Sequence, residues 1–347
     1  VQKMKDGVDG WGNTNWYDKI YGTGTRTHHN ISATGGSDRV RFFASIGYLD
    51  EKGNIDNYGY NRLNLRSNID AKLTKSLTFT LGVSGRIEKR DSPRYSANPD
   101  DWHNVPQQVI RALPYVPATY EYEGKVYNVS TPTASSPVAP LASINESGYS
   151  KSNYSYIQSN FSLKYDAPWL KGLSFKFQGA YDLTYNFSKI LTNPYEVMIM
   201  NLPTIESTSL TYYKGTDASG NSISLSESAS RGYTFTTQSS VTYDNKFGKH
   251  TIGAMFLAET RENKSNALSA TGYGLDFIQL DELNQITNKT GNGTEKFPTI
   301  GGYSGHTRVA GFVGRVNYNY DDKYYLEASL RYDGSYLFGG MNKRWVT

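Results

Sequence analysis

Every second residue from Leu173 to Phe187 is apolar, aromatic or glycine: Leu173, Phe175, Phe177, Gly179, Tyr181, Leu183, Tyr185 and Phe187. Between them stand Ser174, Lys176, Gln178, Ala180, Asp182, Thr184, Asn186 and Ser188. A period of two held this long predicts a strand with one greasy and one wet face. Ser155, Ile157, Ser159, Phe161, Leu163 and Tyr165 alternate with polar partners in the same way. A break of only 166–171, holding a proline and followed by Gly172, separates the two runs and predicts an antiparallel hairpin.

Length gives the pattern its meaning. Strands of soluble domains run to about 5–6 residues, and strands that cross a bilayer need about 9–11. A face ringed with Tyr and Phe opposite a face of Lys, Asp, Gln and Asn fits an outer-membrane barrel, with lipid outside, a wet lumen inside and aromatics at both interfaces. A large soluble β protein is the competing reading of the hairpin alone.

The same alternation recurs along the chain. Strands are predicted at Thr27–Thr34 and at Arg39–Asp50, the latter with Val40, Phe42, Ala44, Ile46 and Tyr48 on one face. In the next, Leu63, Leu65, Ser67, Ile69, Ala71 and Leu73 alternate with Arg62, Asn64, Arg66, Asn68, Asp70 and Lys72. Leu77 to Glu88 answers it, with Arg86 and Glu88 on the polar side. Such a charged face is costly in a closed core and natural in an aqueous lumen. Further strands are read at Gly232–Tyr243, Thr251–Arg261, Arg308–Tyr320 and Tyr324–Asp333, which brings the expected count to ten.

Connections are short at 35–38, 74–76, 166–171, 244–249 and 321–323, and longer at 51–59, 91–152, 189–231 and 263–306. This order gathers the turns at one end and the loops at the other, as in barrels with short periplasmic turns and long extracellular loops. The long loops are expected to lack sustained strand patterning, apart from one short helix within Asn104–Leu113 carrying Val105, Val109 and Leu113 on one side. A second short helix or lead-in is expected at Asn15–Tyr21. Ten strands with one greasy face need more chain to close, so the sequence reads as a fragment of a longer barrel.

Composition changes little. In 347 residues, 37% are hydrophobic and mean hydropathy is −0.59, yet a barrel shows lipid only alternate residues. Tyrosine is over-used, at 29 against 14 phenylalanines, which suits a headgroup boundary or a sugar-binding surface. A net charge of +4 is too mild to indicate nucleic acid. The absence of cysteine excludes disulfide scaffolds, thiol catalysis and Cys-ligated zinc.

At both ends of the chain the residues resemble a known family. The segment from Arg315 to Ser335, Arg-Val-Asn-Tyr-Asn-Tyr-Asp-Asp-Lys-Tyr-Tyr-Leu-Glu-Ala-Ser-Leu-Arg-Tyr-Asp-Gly-Ser, followed by Phe338 and Asn342-Lys-Arg-Trp345, is similar to barrel strands of the SusC/RagA transporters. Near the start, Asn15-Trp16 with Tyr21, His29-Asn30-Ile-Ser, Gly35-Gly36-Ser37-Asp38 and Phe43-Ala-Ser-Ile-Gly-Tyr-Leu-Asp50 resemble the same family's first barrel strands. The resemblance implies an all-β transmembrane antiparallel barrel of about 22 strands, of which residues 1–347 form a part, its lumen plugged by an N-terminal domain outside this chain. It also implies TonB-coupled import of an oligosaccharide or peptide across the outer membrane, with a SusD-like surface lipoprotein as lid. The plug and the TonB-binding segment are not visible in this sequence.

No catalytic, metal or cofactor constellation stands out. His28 and His29 fall on opposite faces of a strand, and Asp50 to Asn57 lacks calcium-loop spacing and reads as a surface turn. Candidate contacts with substrate or partner are the aromatics of the long loops: Trp102, Tyr115, Tyr120, Tyr122, Tyr127, Tyr212 and Tyr213. The bland alternative is that they pack the loops onto one another. Against the importer stand a passive porin, a soluble polysaccharide-binding protein and a barrel hydrolase, the last disfavoured because none of the five histidines adjoins a nucleophile.

Overall fold

The computed structural model describes residues 2–94, 104–131, 138–202, 210–216, 222–337 and 345–346. Two one-turn helices lead in, α1 (Gln2–Asp6) and α2 (Trp16–Ile20). Asn15 caps α2, its side-chain oxygen accepting from the amides of Tyr17 and Asp18, so the expected lead-in helix is present.

Four strands follow: β1 (Thr25–Gly36), β2 (Val40–Lys52), β3 (Gly59–Lys72) and β4 (Leu77–Pro93). The chain then leaves the wall for α3 (Val105–Arg111), β5 (Thr119–Tyr122), β6 (Lys125–Ser130) and α4 (Pro140–Asn145). It returns as β7 (Gly148–Asp166) and β8 (Leu173–Thr192), leaves again for β9 (Glu196–Asn201) and β10 (Thr211–Thr216), and returns as β11 (Ser224–Phe247). β12 (His250–Tyr273), β13 (Thr299–Tyr320), β14 (Tyr324–Ser335) and the two-residue β15 (Trp345–Val346) complete it.

One antiparallel sheet carries the wall, eleven strands in the order β1-β2-β3-β4-β7-β8-β11-β12-β13-β14-β15. Apart from β15 these are the ten strands the alternation marks out. Each pairs with its predecessor in the wall, and the tight turns at 37–39, 73–76, 167–172, 248–249 and 321–323 all lie at one end.

Register carries the alternation across the sheet. Phe42, Ile69, Leu81, Phe161 and Gly179 fall on one row, and Val241, Phe256, Gly314 and Leu330 on another. Most of these large side chains stay exposed, among them Phe42, Phe161, Phe256 and Leu330, because lipid rather than protein covers them. Tyr165, Tyr243, Tyr318 and Tyr324 stand on that face near the turns, and Tyr48, Tyr185 and Tyr233 stand further up.

Rows climb relative to the turns. Ala33, three steps from the end of β1 at Gly36, shares a row with Arg308, twelve steps from the end of β13 at Tyr320. That stagger is the shear that closing a tilted sheet requires.

Two expectations need correction, both about the long connections. The stretches 91–152 and 189–231 are not plain loops: they contribute a four-stranded sheet in the order β10-β9-β6-β5. The wall strands also run further than the apolar pattern shows. β12 spans 24 residues to Tyr273 and β13 starts at Thr299, which shortens the connection expected at 263–306 to 274–298. At ~3.4 Å per residue and a tilt near ~40°, such strands stand roughly 60 Å tall, far above an apolar band of ~25 Å. Beyond the band there is no lipid to select apolar residues, so Ser, Thr and Asn continue the strand without announcing it.

Candidate functional site

Two surfaces can meet a solute: the polar face of the wall, and the cap that the long loops build above it. On the wall, β3 and β4 turn Arg62, Arg66, Arg86 and Arg90 to the polar side, opposite the row set of Phe42 and Leu65. Glu88 lies among them with its carboxylate buried, 2.8 Å from Arg86 Nε and 3.6 Å from Arg90 Nη2. The Arg86 guanidinium sits 5.7 Å and 5.9 Å from the rings of Tyr154 and Tyr156 on β7, and Arg90 5.3 Å from Tyr60. A hollow of about 500 Å³ beside this row set in the outer face is separate from a polar hollow of about 470 Å³ lined by Arg66, Asn68, Gly82, Gln158, Asn160 and Asp182. Planar guanidinium, phenol and amide groups of this kind can stack on flat faces and clamp carboxylates.

The polar ladder continues across the wall. Gln178 donates to Gln238, and Gln238 to Glu259, whose other oxygen accepts from Arg331 Nη2 at 3.3 Å.

The cap has its own core. Trp16, Val116, Tyr127, Val129, Val138, Met198 and Met200 are buried together, with Trp11, Leu113, Tyr115 and Tyr212 packed on them. The Trp16 indole donates to the carbonyl of Leu113 at 3.0 Å, tying the lead-in helix to the cap. β6 and β9 pair in parallel through Val129 with Met198 and Ser130 with Ile199, joining two loops that the β7–β8 hairpin separates in sequence. α3 answers the expected helix, with Val105 fully buried and Val109 packed against the core. Contacts that hold the cap to the wall include Ile55 with Ile144, Asn57 Nδ2 to the Ile144 carbonyl at 3.0 Å, Arg94 Nε to Thr192 Oγ1 at 2.7 Å, and Asn193 Nδ2 to the Glu146 carbonyl at 2.8 Å.

The seven aromatics picked from sequence separate clearly. Tyr115 packs edge-on to Trp11, with ring centroids 6.0 Å apart. Tyr120 stacks on Tyr212 at 4.0 Å, and Tyr127 is buried with Lys125 and Lys214 over its ring. Tyr122 and Tyr213 remain exposed, at 39% and 54%. Trp102 lies outside the described residues. The Lys214 amine lies over the rings of Tyr122 and Tyr127, 3.8 Å from Glu123, while Tyr120 and Tyr212 stack on each other and Tyr213 stands on the other face of β10.

Burial and then the neighbouring Tyr120 push the Tyr212 phenol up to about 12, and its hydroxyl donates to the Gly10 carbonyl. The Tyr127 hydroxyl holds the Lys214 ammonium above the ordinary lysine range, assisted by Glu123 and Glu196. Burial raises Glu146, and the Asn128 amide opposes that shift by donating to it.

Sequence reasoning recognised Arg62, Arg66 and Arg86 as lumenal but not as a cluster. The signal was available in the register, since Arg62 pairs with Glu88 and Asn64 with Arg86 once the turn at 73–76 is fixed. His28 and His29 are exposed on opposite faces of β1, and no group of three or more metal-binding side chains occurs among the described residues.

No family model matches the chain. Among curated proteins it is 25% identical over 342 residues to TonB-dependent receptor P3 of Formosa agariphila, covering 97% of this chain and 31% of that protein. TonB-dependent receptor P26 of the same organism is 24% identical over 336 residues, covering 95% of this chain and 30% of that protein. The chain thus spans about a third of the length of the curated relatives it matches. Among solved structures, the RagAB peptide transporter superposes with a TM-score of 0.70 at 21% identity, over 100% of this chain and 36% of the other. The RagAB peptide importer in its closed-closed state gives 0.72 at 21%, over 99% and 36%. In sequence the chain is similar to TonB-dependent receptors, and in fold it matches a stretch of the outer-membrane barrel of the RagAB structures.

Proposed function

We propose that the protein imports an oligomeric nutrient, a glycan or a peptide, across the outer membrane by TonB-dependent active transport, with a SusD-like surface lipoprotein closing over the cap. The loops carry this reading. Two long connections fold into a sheet with its own buried core and leave Tyr122 and Tyr213 outward, a surface on which a lid or an incoming chain can dock. Beneath it the Arg62–Arg66–Arg86–Arg90 wall with its tyrosines supplies stacking and charge-assisted hydrogen bonds suited to flat, polar, repeating units. The peptide transporter among its structural neighbours supports the peptide arm, and the TonB-dependent receptors among its relatives support the energy coupling.

Extraction of the full-length protein from outer membranes in detergent, with co-purifying chains identified by mass spectrometry, tests the assembly. The expected result is a lipid-anchored partner at equal stoichiometry. Uptake of labelled peptides and glycans by cells with and without a functional TonB complex then separates the substrates. A lone barrel that passes solutes equally in both cells overturns the importer and makes the protein a passive porin.

A further inference from the structure

On the lipid-facing side of β11–β14, one row consists only of small residues: Thr237, Thr260, Ala310 and Gly334 are successive register partners. Across four strands they leave a trough of about 530 Å³, bounded by Phe235 at one end and Tyr336 at the other. Below it the wall is hydrocarbon, with Phe256 and Phe312 stacked at 6.1 Å. Immediately above it the outer face becomes charged. Glu262 and Arg308 are paired in the next row, Lys264 and His306 in the row beyond, and Arg231 sits diagonally adjacent on β11.

Charge in this patch is unbalanced. Glu262 is the single carboxylate among these groups; Arg308 lies 3.2 Å from it, His306 Nε2 2.8 Å and Lys264 3.6 Å. Arg308 and Lys264 contact that one carboxylate, Arg231 adds a third full positive charge diagonal to Lys264, and Arg308 and Lys264 keep 62% and 44% of their side chains exposed. Height fixes the setting. Twelve steps separate Arg308 from the turn end of β13 at Tyr320. At ~3.3 Å per step and a ~40° tilt that is roughly 30 Å, just clear of an apolar band ~25 Å tall.

A shallow trough of small side chains rimmed by Glu262 and Arg308 of the cationic patch, both turned to the bilayer at its outer boundary, matches an amphiphile with acyl chains and an anionic head. We propose that this face of β11–β14 is a binding site for a phosphorylated glycolipid of the outer leaflet. An acyl chain fills the Thr237–Thr260–Ala310–Gly334 trough, and the phosphate is held by Arg308, Lys264 and Arg231, with Glu262 positioning the first two. The inference depends on the outer-membrane setting and not on the transported substrate, so import activity is a separate readout.

The test uses the full-length protein in phosphatidylcholine nanodiscs, with native mass spectrometry counting added lipid A, its dephosphorylated form and inorganic phosphate. Heat-modifiable migration on gels verifies that each variant is folded. Phosphorylated lipid A is expected to bind at least about tenfold more tightly than the dephosphorylated form. The Arg231→Gln/Lys264→Gln/Arg308→Gln variant loses that preference, Ala310→Phe weakens both lipids by filling the trough, and Glu262→Gln tightens the phosphorylated one. Equal binding of the two lipids, or full retention by the triple variant, overturns the proposal. So does displacement of lipid A by inorganic phosphate, which reduces the patch to an anion site.

Discussion

Arg331 on β14 reaches Glu259 on β12 across the whole width of β13, with Nη2 3.3 Å from Oε1. The strand between them lets the side chain through because position 311 is glycine. A Cβ there would stand 2.3 Å from the Asp333 carboxylate and 3.2 Å from the Arg331 guanidinium. Gly311→Val is therefore expected to cost about 1–3 kcal/mol through crowding. Arg331→Met removes two partly exposed pairs, with Glu259 and Asp333, and costs about 0.2–1 kcal/mol. Unfolding midpoints of the reconstituted barrel check the order, and a larger loss in Arg331→Met refutes it.

Phe256 and Leu268 share the outer face of β12, both exposed, but six and eighteen steps from the turn at His250. Phe256→Arg is expected to cost about 2–4 kcal/mol because it places charge against hydrocarbon, and Leu268→Arg about 0–1 kcal/mol because it stands above the lipid. Denaturant unfolding from vesicles reads both. Equal costs contradict the height assigned to this strand.

Met198 is almost fully buried in the cap, whereas Tyr213 on the neighbouring strand is exposed at its surface. Met198→Ala is expected to destabilise the cap by about 2–5 kcal/mol. Tyr213→Ala should stay within about 0.5 kcal/mol. Hydrogen exchange of the β6 and β9 amides measures each against unchanged exchange in the β11–β12 wall. Reduced substrate or lid affinity in Tyr213→Ala, with stability unchanged, supports its contact role.

Tyr212 makes the cap sensitive to strong alkali. Its phenol rises from 10.0 to about 12 in the folded state, mainly through burial. The folded state holds this proton more firmly, so the stability it contributes is complete below pH 10.0 and is lost as pH rises through about 12. Phenolate absorbance of the protein minus that of Tyr212→Phe isolates the titration. A midpoint near 10.0 would contradict the half-buried setting of this phenol.

Much of the wall was readable because lipid imposes a period of two. Leu173 to Phe187 announces β8, and the Asp321-Asp322-Lys323 turn, with both aspartates at positive φ, announces β13–β14. The cap was not readable, for two reasons. Its strands are four to six residues long, too short for a period to show. Its one local signal is the Glu123-Gly124 turn, both at positive φ, between Tyr120-Glu-Tyr122 and Lys125-Val-Tyr127. The rest depends on β6 meeting β9, residues far apart in the chain. Among the described loop aromatics, Tyr115, Tyr120, Tyr127 and Tyr212 pack in the cap, the alternative that the sequence left open, while Tyr122 and Tyr213 are exposed.

The parallel pairing of Val129–Ser130 with Met198–Ile199 also fixes an order of assembly. Five hairpins of the wall close on tight turns, so each of these zips from its own turn at small entropic cost. The two halves of the cap meet only after β7 and β8 have paired and brought their upper ends, Gly148 and Thr192, side by side. Parting β6 from β9 would therefore open the cap without breaking any strand pairing of the wall.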